Sequence, residues 1–219
     1  MKQRINPLIS KRKQPKQARS TELVSDVLEA ALQVLATEGT QRFTMARVAE
    51  KAGVSVGSLY QYFPNKAAIL FQLQSAEWRQ TTELMHTTLS DPRTAPLDRL
   101  RAFVRAFIRS ERDEVEVRVA LDDAAPLYRD APEAKEARAL GDLTVQRFMR
   151  EVLPDSSEAA RTLAADLITT TLSAVGKLIS ESPRTTTDLD AYADAMAAMF
   201  CAYLVSLGAG AKHDHALRR

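Results

Sequence analysis

The segment TMARVAEKAGVSVGSLYQYFPNKAAIL, Thr44 to Leu70, decides the fold. Thr44 is a good N-cap, because its hydroxyl can accept from one of the orphan backbone N–H groups that open a helix. Met45, Val48, Ala49 and Ala52 then recur at three- and four-residue spacing and form one apolar stripe. Gly53 is placed to end this helix in the left-handed conformation. Val54 is expected to plug the corner and Ser55 to cap a second helix. Leu59 and Phe63 sit four apart and face inward, and Pro64 disfavours helix at the residue before it. Asn65 caps a third helix, with Lys66 in its first turn. Two helices joined by a tight Gly-containing turn make a helix-turn-helix, whose second helix enters the major groove of DNA. The surface at the start of that second helix is Ser55, Val56, Gly57, Ser58, Tyr60, Gln61 and Tyr62, set to meet base edges and phosphates.

The charge distribution suits this reading. The net charge of +2 hides an asymmetry, because residues 1–66 hold eleven Lys or Arg against five acids, and the remainder holds nineteen against twenty-three. Positive charge therefore gathers where phosphate binding needs it. Residues 1–19 carry seven bases and no acid, and with Pro7 and Pro15 they read as a flexible basic arm.

A chain of 219 residues with 45% hydrophobic content supports one or two domains and a sizeable core. Seven glycines, nine prolines and no strand-like alternation predict an all-α protein. Helix one is expected from a cap at Ser20 or Thr21 to Glu38, stopping at Gly39, with a buried stripe of Leu23, Val27, Leu28, Ala31, Leu32 and Leu35. Helix four runs from Asn65 to about Leu89. Further helices are expected from Pro96, around Val115 to Ala125, from Pro132 behind the capping box Asp130-Ala131-Pro132-Glu133, from Ser156 to Ile179, and from a Thr187 cap to about Leu207. The domain division reads as the arm 1–19, a helix-turn-helix domain 20–70, a larger helical domain 71–211 and a polar tail 212–219.

Catalysis has little support. His86, His213 and His215 are the only histidines, and no Gly-rich phosphate loop or nucleophile elbow is present. No metal site and no cofactor is implied. Cys201 is the only cysteine, which excludes an internal disulfide and suits a reducing cytoplasm. No signal peptide is expected. The uncharged stretch Ala195 to Ala211 falls short of the ~20 residues of a membrane span and reads as a buried helix, so no membrane partner is expected.

The segment EKAGVSVGSLYQYFPNKAAIL, Glu50 to Leu70, and the preceding VLEAALQVLATEGTQRFT closely resemble the TetR family of bacterial transcriptional regulators. The close resemblance covers about the first third of the chain. It implies a dimeric, ligand-responsive regulator of double-stranded operator DNA, most often a repressor. Position by position, it implies that Thr44, Arg47, Ser55, Tyr60, Tyr62 and Lys66 hold phosphates, and that Val56, Gly57, Ser58 and Gln61 face the major groove. A small-molecule effector pocket is implied in the middle region, where Trp78, Met85, Phe103, Phe107, Tyr128, Phe148 and Met149 are the candidate lining, and a hydrophobic or aromatic compound is the first guess. Asp122 and Asp123 suit a cationic ligand less well than they suit a solvated face. The last two long helices are apolar on too many sides for a monomer surface, and Leu172, Met196, Met199, Phe200 and Tyr203 are the candidate homodimer interface. Two alternatives stay open. One is a DNA-binding regulator with no small-molecule effector. The other is an all-α enzyme that retains a helix-turn-helix hairpin.

Overall fold

The computed structural model describes residue 9 and residues 18–113, 115–128, 130–181 and 184–210. The tail 212–219 and most of the arm lie outside the described residues. Among the described residues every regular element is helical: α1 (Ala18–Arg42), α2 (Met45–Lys51), α3 (Val56–Tyr62), α4 (Lys66–Leu89), α5 (Pro96–Asp113), α6 (Val115–Ala124) with a 3-10 turn at Ala125–Leu127, α7 (Pro132–Val152), α8 (Glu158–Glu181) and α9 (Thr186–Ser206).

The chain packs as two compact units. The first runs to Arg79 and takes in Glu116–Arg138, and the second comprises Gln80–Val115 and the chain from Ala139 onward. This division differs from the sequence boundary after residue 70. The first unit adds the early turns of α4 and the whole stretch from α6 into α7.

In the first unit the core of α1 is Val24, Val27, Ala31, Val34 and Leu35, while Leu23, Leu28 and Leu32 are only partly buried. The expected stripe is thus rotated toward Val24 and Val34. β-branched Val24, Val27 and Val34 fill most of the inward positions, and the leucines flank them. Helix α1 also begins at Ala18, ahead of the expected cap, and its regular part ends at Gly39, whose φ of 71° and ψ of 177° break it. Ile9, inside the stretch read as a flexible arm, is fully buried in this core.

The second unit is built on α5, whose Leu100, Val104 and Ile108 bury completely or nearly so. They share a core with Phe148 and Met149 of α7, Ile168 and Leu172 of α8, and Met196, Phe200 and Leu204 of α9. On the surface α5 and α9 are joined by Arg105 with Asp194 and by Arg109 with Asp190 at 3.0 Å. Helix α9 is capped by Thr185, two residues before the expected Thr187; its Oγ1 accepts from the Asp188 amide at 3.2 Å and donates to the Asp188 carboxylate at 2.6 Å. Three consecutive threonines made the cap ambiguous, and the acid three residues on selects Thr185. The buried Cys201 thiol lies 3.6 Å from the Leu97 carbonyl, and burial pushes its pKa up.

Two helical glycines of this unit differ in kind. A Cβ at Gly176 would stand 2.9 Å from Cδ of the buried Glu111, whereas one at Gly141 would meet Thr82 Oγ1 at an ordinary 3.5 Å. Gly176→Ala is expected to destabilise the fold by about 1–3 kcal/mol through overpacking. Gly141→Ala is expected to stabilise it by up to about 1 kcal/mol through helix propensity. Urea unfolding midpoints of the two variants should move in opposite directions.

Candidate nucleic-acid interface

Backbone hydrogen bonds fix the turn between α2 and α3. Gly53 has φ 66°, the amide of Val54 donates to the Ala49 carbonyl at 3.0 Å, and the amide of Gly53 donates to Glu50 at 3.2 Å. These are the paired closures of a Schellman motif, which a left-handed residue makes possible. Thr44 caps α2, its hydroxyl accepting from the Arg47 amide at 3.2 Å. Ser55 caps α3, accepting from the Ser58 amide at 3.0 Å. Asn65 caps α4, its Oδ1 accepting from the Ala68 amide at 2.9 Å.

With both ends fixed, α3 divides into two faces. Leu59 and Phe63 are fully buried, and Tyr62 retains 8% exposure. Val56, Gly57, Tyr60 and Gln61 are exposed and occupy the opposite side, at spacings of one, four and five residues from Val56. The placement of Tyr62 on the displayed surface is corrected: its ring belongs to the head's core, because it falls three residues after Leu59 on the inward stripe. Ser58 is half-buried and its hydroxyl is 2.8 Å from that of Ser55, so it is engaged within the turn.

The flanking cations are exposed. Arg47 lies 3.5 Å from both Glu38 and Glu50. Exposed pairs of this kind contribute about 0–1 kcal/mol, so a phosphate can replace either carboxylate at little cost. Lys66 is exposed in the first turn of α4.

The candidate pocket residues do not gather in one unit. Trp78 and Tyr128 belong to the first unit's core, where Phe71 packs against both rings at centroid distances of 6.5 and 6.0 Å. Met85, Phe103, Phe107, Phe148 and Met149 belong to the second unit's core. Phe148 borders a cavity of about 260 Å³ and Met149 one of about 370 Å³. Sequence reasoning missed how α6 is held in the first unit. The Arg118 guanidinium lies 3.2 Å from the Glu77 carboxylate, and the Tyr128 hydroxyl donates to the Leu121 carbonyl at 3.0 Å, with Gln74 Oε1 a further 3.2 Å acceptor. Burial, with the Asp122 carboxylate adding to it, pushes the Tyr128 phenol well above its usual range, so it stays protonated as a donor. The available signal was Arg118, the only cation of α6, set between valines.

The dimer candidates are also redistributed. Leu172, Met196 and Phe200 are corrected from interface to core, with 3%, 5% and 2% exposure. Tyr203 is half-buried, and Met199 stands out at 54%. Around it on α9 lie exposed Tyr192, Ala195, Ala202 and Val205, and α8 exposes Leu163, Leu167 and Leu178 at helical spacing. An all-round apolar helix does not reveal which side its own protomer covers.

A capped head with one displayed helix face, on an otherwise all-α chain, defines a helix-turn-helix protein. Residues 27–73 match "Bacterial regulatory proteins, tetR family" and residues 95–207 match "Tetracyclin repressor-like, C-terminal domain". The chain belongs to the tetR family of bacterial regulatory proteins. It is 30% identical over 124 residues to the HTH-type transcriptional repressor KstR of Rhodococcus jostii, a stretch spanning 57% of each chain. It is 33% identical over 69 residues to the fatty acid metabolism regulator protein of Bacillus subtilis, spanning 32% of this chain and 36% of that one. The match thus spans little more than half the length of the first relative and about a third of the second. Among solved structures, Bacillus subtilis FadR in complex with stearoyl-CoA shares the fold at a TM-score of 0.65 and 18% identity, covering 81% of this chain and 97% of that one. The SmeT–triclosan complex does so at 0.61 and 19%, covering 83% and 91%.

Gly57 generates a specific expectation. A Cβ there would meet only Ser55 Oγ, at 3.8 Å, so nothing within the protein calls for glycine. Gly57→Ala is expected to raise stability by up to about 1 kcal/mol. If the open space is kept for a DNA backbone, the same variant loses operator affinity. Thermal unfolding and DNA titration on one preparation check the two signs.

Proposed function

We propose that this chain is a homodimeric, cytoplasmic transcriptional repressor that holds double-stranded operator DNA and releases it when a small hydrophobic or aromatic effector binds. The observation that carries this reading is the exposed face of α3. Val56 and Gln61 read bases there, Val56 against a thymine methyl and Gln61 by hydrogen bonding. Gly57 admits the DNA backbone, and Thr44, Arg47, Ser55, Tyr60 and Lys66 hold phosphates around it. The excess of cations over residues 1–66 supports the same conclusion.

The exposed apolar face of α8 and α9 supports the homodimer. Leu163, Leu167, Leu178, Tyr192, Met199 and Val205 are large side chains facing solvent in one protomer, and a two-fold helix seam would cover them. By length and composition Glu158–Ile179 of α8 is also apolar enough to cross a membrane; the seam accounts for that composition without one. Effector binding shifts the population of dimers toward a head spacing that no longer fits two grooves. FadR is solved with stearoyl-CoA and SmeT with triclosan, and compounds with a long acyl chain or an aromatic body are the first to test. A regulator without an effector is the second reading, favoured by the packing of Met85, Phe103 and Phe107 into core. Family membership supports regulation over catalysis, and among the described residues no group of His, Cys, Asp and Glu is arranged to hold a metal.

Selection of bound sequences from random DNA tests the central claim. It should return an inverted repeat with half-sites about 34–36 Å apart or a multiple of that. On that site Gln61→Ala is expected to cost about 1–3 kcal/mol, and little on random DNA. Lys66→Ala should weaken both equally and lower the salt slope by about one. Equal losses for both variants on both DNAs would remove Gln61 from base reading.

The seam has its own test. Met199→Glu should give a folded monomer by light scattering and circular dichroism, with no operator binding. Phe200→Glu should instead lose the fold, since it places an unpaired charge inside the core. A Met199→Glu protein that stays dimeric would show that the seam lies elsewhere.

A further inference from the structure

Helix α7 presents Thr144, Arg147, Phe148 and Glu151 at spacings of three, four and seven residues, hence on one face. With Leu89, Ser90, Pro92 and Arg99 these residues line the cavity of about 260 Å³. All eight belong to the second unit.

The polar groups of this cavity are unevenly satisfied. Arg99 is 3% exposed; it donates to the Leu89 carbonyl and to the Glu151 carboxylate, and its guanidinium lies over the Phe148 ring at 5.8 Å. It therefore neutralises Glu151 and holds the ring in place. The Nε–H of Arg99, also buried, has no acceptor among the described residues. Arg147 is exposed and, among the described residues, makes no ion pair. The side-chain hydroxyls of Ser90 and Thr144 likewise have no hydrogen bond among the described residues. Two cations face one carboxylate, and that carboxylate is already taken.

The unmet requirement is for an acceptor carrying negative charge. A guanidinium fork pairs best with a planar carboxylate, through two parallel hydrogen bonds. Leu89, Pro92 and Phe148 supply an apolar wall beside it. The volume decides the size, since it lies just below the range of about 300–1,000 Å³ usual for small-molecule sites. We propose that this cavity binds a small organic monocarboxylate, its head on Arg147 and the hydroxyls of Ser90 and Thr144, its body against Phe148. Binding here does not depend on the chain being a regulator, and the regulator does not need this cavity as its effector site.

Benzoate is the probe, with benzyl alcohol as its neutral counterpart, titrated into the full chain by calorimetry. One benzoate per chain is expected, with benzyl alcohol at least about tenfold weaker. Arg147→Ala should weaken benzoate about tenfold and close the gap to benzyl alcohol. Because Arg147 is exposed and unpaired, the variant should keep its melting temperature. Arg150→Ala, which borders the separate cavity beside Met149 and does not line this one, should bind as the unaltered chain does. Absence of benzoate binding, equal binding of the two probes, or an unaffected Arg147→Ala would each overturn the proposal. Operator affinity is measured on the same samples. Benzoate bound with operator affinity intact keeps the site and removes it as the effector site. Operator released by a compound that Arg147→Ala does not affect keeps the effector reading and places it elsewhere.

Discussion

The reading head depends on one backbone conformation. At Gly53 the chain must turn left-handed so that two successive amides can return to the end of α2. A side chain there would be strained, and without those bonds the last carbonyls of α2 would be left open. Everything that follows is registered from this turn. Val54 packs against the core, Ser55 meets the first amides of α3, and Leu59 and Phe63 arrive on the inward side. The outward set of Val56, Gly57, Tyr60 and Gln61 is then no longer free to vary. A single φ angle thus decides which side chains are offered to a partner.

The second unit solves a different problem with the same physics. Helix α9 is apolar on nearly every side, and it is uncharged from Ala195 to Gly210. One side meets α5, and ion pairs at Asp190 and Asp194 fix its rotation. The remaining side carries Tyr192, Ala195, Met199, Ala202 and Val205, an apolar face exposed in one protomer. Small residues let backbones approach, and a long flexible thioether fills what is left. The ring of Phe200 went inward, whereas that of Tyr192 stays on the outer side with Met199.

Local chemistry was legible in the sequence and distant pairing was not. The caps at Thr44, Ser55 and Asn65, the stop at Gly53 and the burial of Leu59 and Phe63 each follow from residues within five positions of one another. The all-α class and the helix stops at Gly39 and Pro64 were readable for the same reason. Tyr62 was misplaced because tyrosine suits a core and a surface equally, and only the helical phase from Leu59 settles it. Phe200 and Met199 are adjacent and equally apolar, so hydrophobicity gave no preference between core and exterior. The junction of α6 with α4 in the first unit was invisible, since Tyr128 and Gln74 are 54 residues apart. The seven apolar residues assigned to one pocket likewise divide between two cores, a division that chain order conceals.

The lone thiol carries a consequence of its own. Cys201 is packed on the inner side of α9, and burial keeps it protonated. A protonated, covered sulfur is a poor nucleophile, so oxidants and electrophiles in the surrounding fluid meet an inert helix. Only when α9 lifts away does the sulfur become reactive. The rate at which a thiol reagent modifies this chain therefore clocks the opening of its second unit, a stopwatch present in the natural sequence without any added label.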